Sequence, residues 1–112
     1  MHRIEYNKLI RDRIPEIIEA EGKTCHIEVM PEEEYRQALL AKLVEEAQEA
    51  SQAGTDRLVT ELADLYEVID AVLAAHGIDR ETVLQVQAQR RSERGGFEQR
   101  LKLLWVDEID TP

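Results

Sequence analysis

The hydrophobic positions of the chain recur at helical spacing along two long neighbouring segments. The first segment, 31–53, has an apolar stripe of Leu39, Leu40, Leu43, Val44, Ala47 and Ala50. The second, 55–76, has a stripe of Leu58, Leu62, Leu65, Ile69, Val72 and Leu73. Apolar residues at steps of three and four lie on one side of a helix. Because Gly54 can end one helix and Thr55 can cap the next, the pattern predicts an antiparallel helix hairpin.

Weaker patterns predict the remaining elements. Residues 7–22 are expected to form a first helix, and residues 80–93 a fourth helix that ends before two glycines. The β-leaning segments 24–30 and 98–106 predict a two-stranded ribbon, which is marginally stable unless it packs on the helices. The expected fold is therefore all-α, a helical bundle around the hairpin with a small β-ribbon.

The second helix of the hairpin is apolar over more than one face. Its sequence adds Val59, Ala63, Tyr66, Val68 and Ala71 to the stripe already described. A helix that is apolar on most sides belongs in a core or in an interface between subunits. We therefore expect an oligomer, either a homodimer or a homotetramer.

Composition limits the kind of protein. The 112 residues are 43% apolar, which predicts one globular domain over residues 1–112. There is no run of 18 apolar residues and no apolar signal core, and the single Cys25 excludes an internal disulfide, so the chain is expected to be cytoplasmic. A net charge of −10 argues against nucleic acid and anionic membranes as partners.

Two pairs of acidic residues mirror each other across the predicted turn. Glu46 and Glu49 lie on the first helix of the hairpin, and Glu61 and Asp64 lie on the second. Residues three apart share a helix face, and both pairs border the same edge of the apolar seam, so the four carboxylates are expected to converge. Gathered carboxylates repel one another unless a cation lies among them, and Mg²⁺ prefers such oxygen ligands. The alternative is that all four are solvated surface residues.

Basic residues cluster at two places that are suited to bind phosphate. One cluster, near the N-terminus, contains Lys8 and Arg11, and the other, at the end of the fourth helix, contains Arg91 and Arg94. A phosphate-bearing substrate of so acidic a protein needs local cations of this kind. Each arginine of the second cluster is equally suited to a helix C-terminus, where the helix dipole favours positive charge.

Three sequence phrases, in order, resemble a known family. They are Tyr-Asn-Lys-Leu-Ile-Arg-Asp-Arg-Ile-Pro-Glu at 6–16, Glu-Glu-x-x-Glu at 45–49 with Glu-x-x-Asp at 61–64, and Arg-Gly-Gly-Phe at 94–97. Together they resemble the MazG-like, all-α nucleoside triphosphate (NTP) pyrophosphohydrolases, a superfamily that includes phosphoribosyl-ATP pyrophosphohydrolase. The resemblance is narrower still to the small house-cleaning branch whose members open with a similar Tyr-Asn-Lys phrase.

The resemblance implies a reaction and a set of site residues. It implies Mg²⁺, with Mn²⁺ as a possible substitute, held by Glu46, Glu49, Glu61 and Asp64. It implies that Glu45 orients or deprotonates water, and that the NTP is cleaved to NMP and pyrophosphate. Arg91 and Arg94 are the nearest matches to the family's phosphate-binding residues. Phosphoribosyl-ATP hydrolysis in histidine synthesis is the alternative reaction, and a non-catalytic helical interaction module is the alternative class.

Overall fold

The computed structural model describes residues 2–110, and its regular structure is helical. The four helices are α1 (Ile14–Ala20), α2 (Glu32–Gln52), α3 (Thr55–Ala75) and α4 (Arg80–Arg94). No strand occurs within residues 2–110. The all-α class predicted from the sequence is therefore confirmed, and none of these helices is long and apolar enough to cross a membrane.

Helices α2 and α3 form the antiparallel hairpin predicted from the apolar stripes. The chain reverses at Ala53 and Gly54, so that the far ends of the two helices meet again. There the Arg36 Nε donates a hydrogen bond of 3.0 Å to the Ala75 carbonyl oxygen. The N-cap of α3 is Gly54 rather than the predicted Thr55, and it makes no side-chain capping bond. Among residues 2–110, the buried apolar side chains are Leu39 on α2 and Val68 on α3.

The end of α3 is fixed by a glycine in the left-handed conformation. Gly77 has φ +64°, and its N–H bonds to the Ala74 carbonyl oxygen at 3.3 Å. The Ile78 N–H bonds to the Leu73 carbonyl oxygen at 2.9 Å. These two bonds form a Schellman motif, which satisfies carbonyls that the helix leaves unpaired. Gly77 therefore stands at the C′ position, as the sequence predicted.

The first helix is shorter than predicted. It covers Ile14–Ala20, whereas the sequence pattern suggested a helix over 7–22. Pro15 lies in its first turn, and extending the helix towards the N-terminus would place this proline in the helix interior. Asn7 also has φ +46°, which is incompatible with a continuous right-handed helix. The prediction for residues 7–13 is therefore wrong.

The predicted ribbon of 24–30 and 98–106 is absent, because neither segment forms a strand. The chain divides between Asp79 and Arg80 into two compact units, and the two segments belong to different units. Both are exposed along almost their whole length, and Val29 is 95% exposed. Two short strands are stable only when they also pack on a hydrophobic layer. Without such a layer, their β propensity alone does not produce pairing.

The second unit contains α4 and residues 95–110, all of them exposed. Helix α4 extends one residue beyond the predicted 80–93. After it, Gly95 takes φ +81° and its N–H bonds to the Arg91 carbonyl oxygen at 2.8 Å. The Arg91 guanidinium also pairs with the Glu98 carboxylate, and this bond lowers the pKa of Glu98. These local bonds determine where α4 ends.

Replacing Gly77 with alanine is expected to destabilise the hairpin. An L-residue held at φ +64° costs about 1–2 kcal/mol, and urea unfolding followed by circular dichroism should show a loss of that size. Gly54→Ala is the matched control, because Gly54 has φ −71° and ψ 166°, which alanine adopts, and its Cβ would meet the Asp56 Oδ1 at 2.9 Å, at the end of a side chain that can move away. If the two variants lose the same free energy of unfolding, the left-handed conformation of Gly77 is not what makes alanine unfavourable there.

Candidate metal centre

Two glutamates are as deeply buried as the apolar core. Glu46 on α2 is 8% exposed and Glu61 on α3 is 6% exposed. Ionisable residues are seldom buried so deeply unless they are paired or bind a metal. The Oε2 atoms of both residues are closed to solvent and have no hydrogen-bond partner. Leaving a buried polar atom unpaired costs about 1–3 kcal/mol, and more when it is charged.

Asp64 completes a triad of carboxylates with these two glutamates. One oxygen from each of Glu46, Glu61 and Asp64 lies within 4.8 Å of the others. The three-residue step on α3 places Glu61 and Asp64 on one face, and the hairpin register brings Glu46 opposite them. At an effective dielectric constant of about 20, each pair of charges at this spacing repels by roughly 3 kcal/mol.

Each carboxylate of the triad has one basic partner. Lys42 Nζ lies 3.6 Å from Glu46 Oε1, and Arg57 Nη2 lies 2.9 Å from Glu61 Oε1. The third pair joins Arg11 Nη2 to Asp64 Oδ1 at 2.8 Å. Lys42 and Arg57 contact the Oε1 atoms of the two glutamates, so both Oε2 atoms are left without a partner. The ion pairs therefore offset the repulsion without satisfying the most buried oxygens.

The electrostatic surroundings of Glu46 disfavour its charged form. Burial is the main cause that raises the pKa of Glu46 above its ordinary value, and the neighbouring Glu49 and Asp64 carboxylates raise it further. Lys42 acts in the opposite direction but does not cancel these effects. Ionised Glu46 therefore destabilises the fold when no cation is bound.

The remaining acidic candidates lie beside the triad. Glu49 does not belong to the group of oxygens within 4.8 Å, but it lines an adjoining cleft together with Glu61. Glu45 is exposed, and its Oε2 lies 3.8 Å from Lys42 Nζ. The predicted convergence thus occurs for three acids directly, while Glu49 borders the same place. The role predicted for Glu45 as a water-orienting residue stays a prediction.

Within the first unit, the structure pairs one predicted phosphate-binding residue with the triad. That residue is Arg11, through its bond to Asp64. Lys8 lies over the Tyr6 ring, with its Nζ 5.8 Å from the ring centroid. Arg91 and Arg94 belong to the second unit, where Arg91 is engaged by Glu98. Their contact with substrate stays a prediction.

Sequence reasoning overlooked two basic residues of the site, Lys42 and Arg57. Each stands four residues from the acid it contacts, Glu46 or Glu61 respectively. Oppositely charged residues at this spacing are neighbours on a helix surface, so the spacing itself is a usable signal. The pairing of Arg11 with Asp64 spans 53 positions and has no comparable signal.

The donor set of the triad fits a hard divalent cation. Mg²⁺ and Mn²⁺ bind carboxylate oxygens, and the unpartnered Oε2 atoms of Glu46 and Glu61 are oxygens of this kind. Glu45 and Glu49 add two further carboxylates, so that the five acids, when all are ionised, exceed the three basic partners by two charges. A divalent cation would compensate this excess.

Comparisons with known proteins give little information on function. The chain is 50% identical over 48 residues to a Mycolicibacterium smegmatis protein described as uncharacterized, a match covering 43% of this chain and 49% of that protein. The chain thus matches about half the length of this relative. No protein-family model and no solved structure matches the sequence.

Glu46→Gln is expected to raise the melting temperature in EDTA at pH 7 and to abolish stabilisation by Mg²⁺ or Mn²⁺. The pKa of Glu46 is raised in the folded state, so the wild-type fold is stabilised at low pH and loses this stabilisation as the pH rises through that pKa. The glutamine of the variant stays neutral and avoids this loss. The difference in melting temperature between the variant and wild type should therefore shrink as the pH falls. Thermal unfolding at several pH values measures both effects.

Glu67→Gln is the matched control, because Glu67 is an exposed glutamate on α3. It should keep the wild-type response to metal, on the order of 2–3 kcal/mol at a hundredfold excess over Kd. Glu49→Gln, Glu61→Gln and Asp64→Asn should weaken this response. If Glu46→Gln melts below wild type in EDTA and keeps the full metal shift, the triad is not a metal centre.

Proposed function

We propose that the protein is a Mg²⁺-dependent NTP pyrophosphohydrolase. The observation that carries the proposal is the pair of buried, unpartnered carboxylate oxygens on Glu46 and Glu61, gathered with Asp64 between two antiparallel helices. The resemblance of the sequence to MazG-like enzymes supports the choice of reaction. Removal of standard or damaged nucleoside triphosphates from nucleotide pools is the role that this resemblance favours.

In this proposal the acidic residues have two roles, to bind the cation and to accept a proton from water. Glu46, Glu61 and Asp64 would hold the cation, with Glu49 beside them. When bound, Mg²⁺ neutralises phosphate charge and makes a water molecule more acidic. Glu45, which is exposed and lies 3.8 Å from Lys42 Nζ, would accept the proton of the attacking water as the general base. The water oxygen would bond to the α-phosphorus as the bond to the bridging oxygen breaks, and pyrophosphate would leave.

Arg11 has a specific part in the proposal. Its guanidinium is exposed and uses Nη2 to contact Asp64, while its other donors are available to a phosphate oxygen. This arrangement supports Arg11 as one basic wall of the substrate site. Lys8, Arg91 and Arg94 remain proposed phosphate contacts on the strength of the sequence patterns.

Phosphoribosyl-ATP hydrolysis is the second candidate reaction, because it would use the same acids and differs in substrate. The candidate of a different class is a helical interaction module in which the ion pairs are purely structural. The three ion pairs give that reading a physical basis, since each acid of the triad already has a basic partner. The two unpartnered Oε2 atoms favour the metal-dependent enzyme.

The first test of the proposed function is a substrate screen. Purified protein with Mg²⁺ should convert one or more NTPs, dNTPs or damaged nucleotides to the monophosphate and pyrophosphate, and EDTA should abolish the reaction. Glu46→Gln should lose activity while it remains folded, and Glu67→Gln should retain it. Release of inorganic phosphate instead of pyrophosphate, or inactivity towards all these nucleotides and phosphoribosyl-ATP, would refute the proposal.

We also propose that the protein acts as a homodimer or homotetramer through α3. Val59, Leu62 and Tyr66 follow one another at steps of three and four on this helix, and all three are exposed. An exposed apolar stripe of this kind is typical of a surface that another protein surface covers. The first unit buries few apolar side chains of its own, which adds to the reason for a partner.

Light scattering at micromolar concentration should give two or four times the chain mass of 12.9 kDa. Val59→Glu should shift the protein towards the monomer, because a charge cannot remain buried in an apolar interface without a partner. Thr60→Glu, one position along the same helix, is the matched control. A wild-type mass of 12.9 kDa would contradict the proposed oligomer.

A further inference from the structure

Beside the triad, a cleft opens between the end of α2 and the start of α3. It has a volume of about 370 Å³ and is lined by Glu49, Gln52, Ala53, Arg57 and Glu61. Glu61 thus belongs to both places, since it lines the cleft and also contributes an oxygen to the triad. A ligand that occupies the cleft would lie next to a cation held by the triad.

The lining of the cleft carries both signs of charge. Glu61 Oε2 is buried and without a partner, which calls for a positive ligand atom, and Glu49 adds a second carboxylate. The Arg57 side chain is 72% exposed and positively charged. Arg57 has five N–H donors in a planar fork, and the contact with Glu61 at 2.9 Å uses one of its nitrogens. The remaining donors match phosphate oxygens.

The ion pair between Arg57 and Glu61 is exposed at its arginine end only. The Arg57 side chain is 72% exposed and the Glu61 side chain 8% exposed, so releasing Arg57 would leave a buried carboxylate that needs another positive partner. Lys42 differs, because its side chain is 19% exposed and stays close to Glu46 within the hairpin. A cation that binds Glu61 would therefore compete with Arg57 and leave its guanidinium free to meet an anion.

We propose that Arg57 is a substrate-binding residue, and that the cleft receives the departing diphosphate group of the substrate as its complex with the divalent cation. This inference rests on the proposed function and adds to it the residue that holds the leaving group. Arg57 would bind the diphosphate through charge-assisted hydrogen bonds, while the triad would hold the cation beside it. The Gln52 side chain, at the end of α2, also lines the cleft and supplies a neutral amide donor.

Isothermal titration of wild type and Arg57→Ala with pyrophosphate at saturating Mg²⁺ tests the inference. Loss of hydrogen bonds between charged groups should weaken pyrophosphate binding by about 10- to 100-fold. Titration with Mg²⁺ alone should give an unchanged or tighter Kd, since the substitution removes a competing cation from Glu61. Arg57→Lys, which keeps the charge without the fork, should restore part of the affinity.

Arg36→Ala is the matched control. Arg36 also forms an ion pair with a glutamate four residues away, Glu32, but this glutamate is 76% exposed, and the pair lies at the opposite end of the hairpin, where Arg36 also contacts Ala75. This variant should melt lower than wild type and bind pyrophosphate with unchanged affinity. A parallel loss of pyrophosphate affinity in Arg36→Ala would show that the effect is one of stability, and would overturn the role of Arg57.

The possible failures are distinct. If wild type binds Mg²⁺-pyrophosphate and Arg57→Ala binds it equally well, the assignment of Arg57 is wrong and the proposed enzyme survives. If Arg57→Ala no longer binds Mg²⁺ alone, Arg57 is a structural partner of Glu61 and the inference is also wrong. If wild type itself binds no pyrophosphate in the presence of Mg²⁺, the inference falls, and the substrate screen decides the proposed function separately.

Discussion

The register between α2 and α3 places two carboxylates, Glu46 and Glu61, inside the seam of a hairpin that buries little else. Burying an acid is costly, and these two have atoms that neither solvent nor a protein donor reaches. A fold maintains such an arrangement at the expense of its own stability, which is a common property of functional sites. The rest of the hairpin can be understood as the scaffold that holds these two side chains opposite each other.

The charges around the triad are balanced in part. Lys42, Arg57 and Arg11 each neutralise one carboxylate, and together they keep the repulsion from separating the helices. The balance is incomplete, because Glu49 remains nearby and the pKa of Glu46 stays raised despite Lys42. A site with a residual negative charge and exposed arginines at its edge is suited to a cation together with an anion. A metal complex of a polyphosphate has both charges in one ligand.

The second unit poses a different physical problem from the hairpin. Helix α4 and residues 95–110 carry large apolar side chains, including Phe97 and Trp105, and bury none of them. A segment of this kind gains no stability from a core of its own. Its local bonds, such as the ion pair of Arg91 with Glu98, fix the chain only at the end of α4. Apolar surface on this scale is consistent with the oligomer inferred from α3.

Local sequence patterns determined the elements, and tertiary contacts decided the site. The hairpin helices and α4 were predictable to within one or two residues, because apolar periodicity and glycine stops act within a few positions. The start of α1 and the ribbon were not, since β propensity and apolar spacing say nothing about whether a packing partner is present. The convergence of Glu46, Glu61 and Asp64 followed from helix spacing once the hairpin was assumed. Only the folded chain brings Arg11 to Asp64 across 53 positions and closes the two Oε2 atoms to water, because burial and long-range pairing depend on residues far apart in sequence.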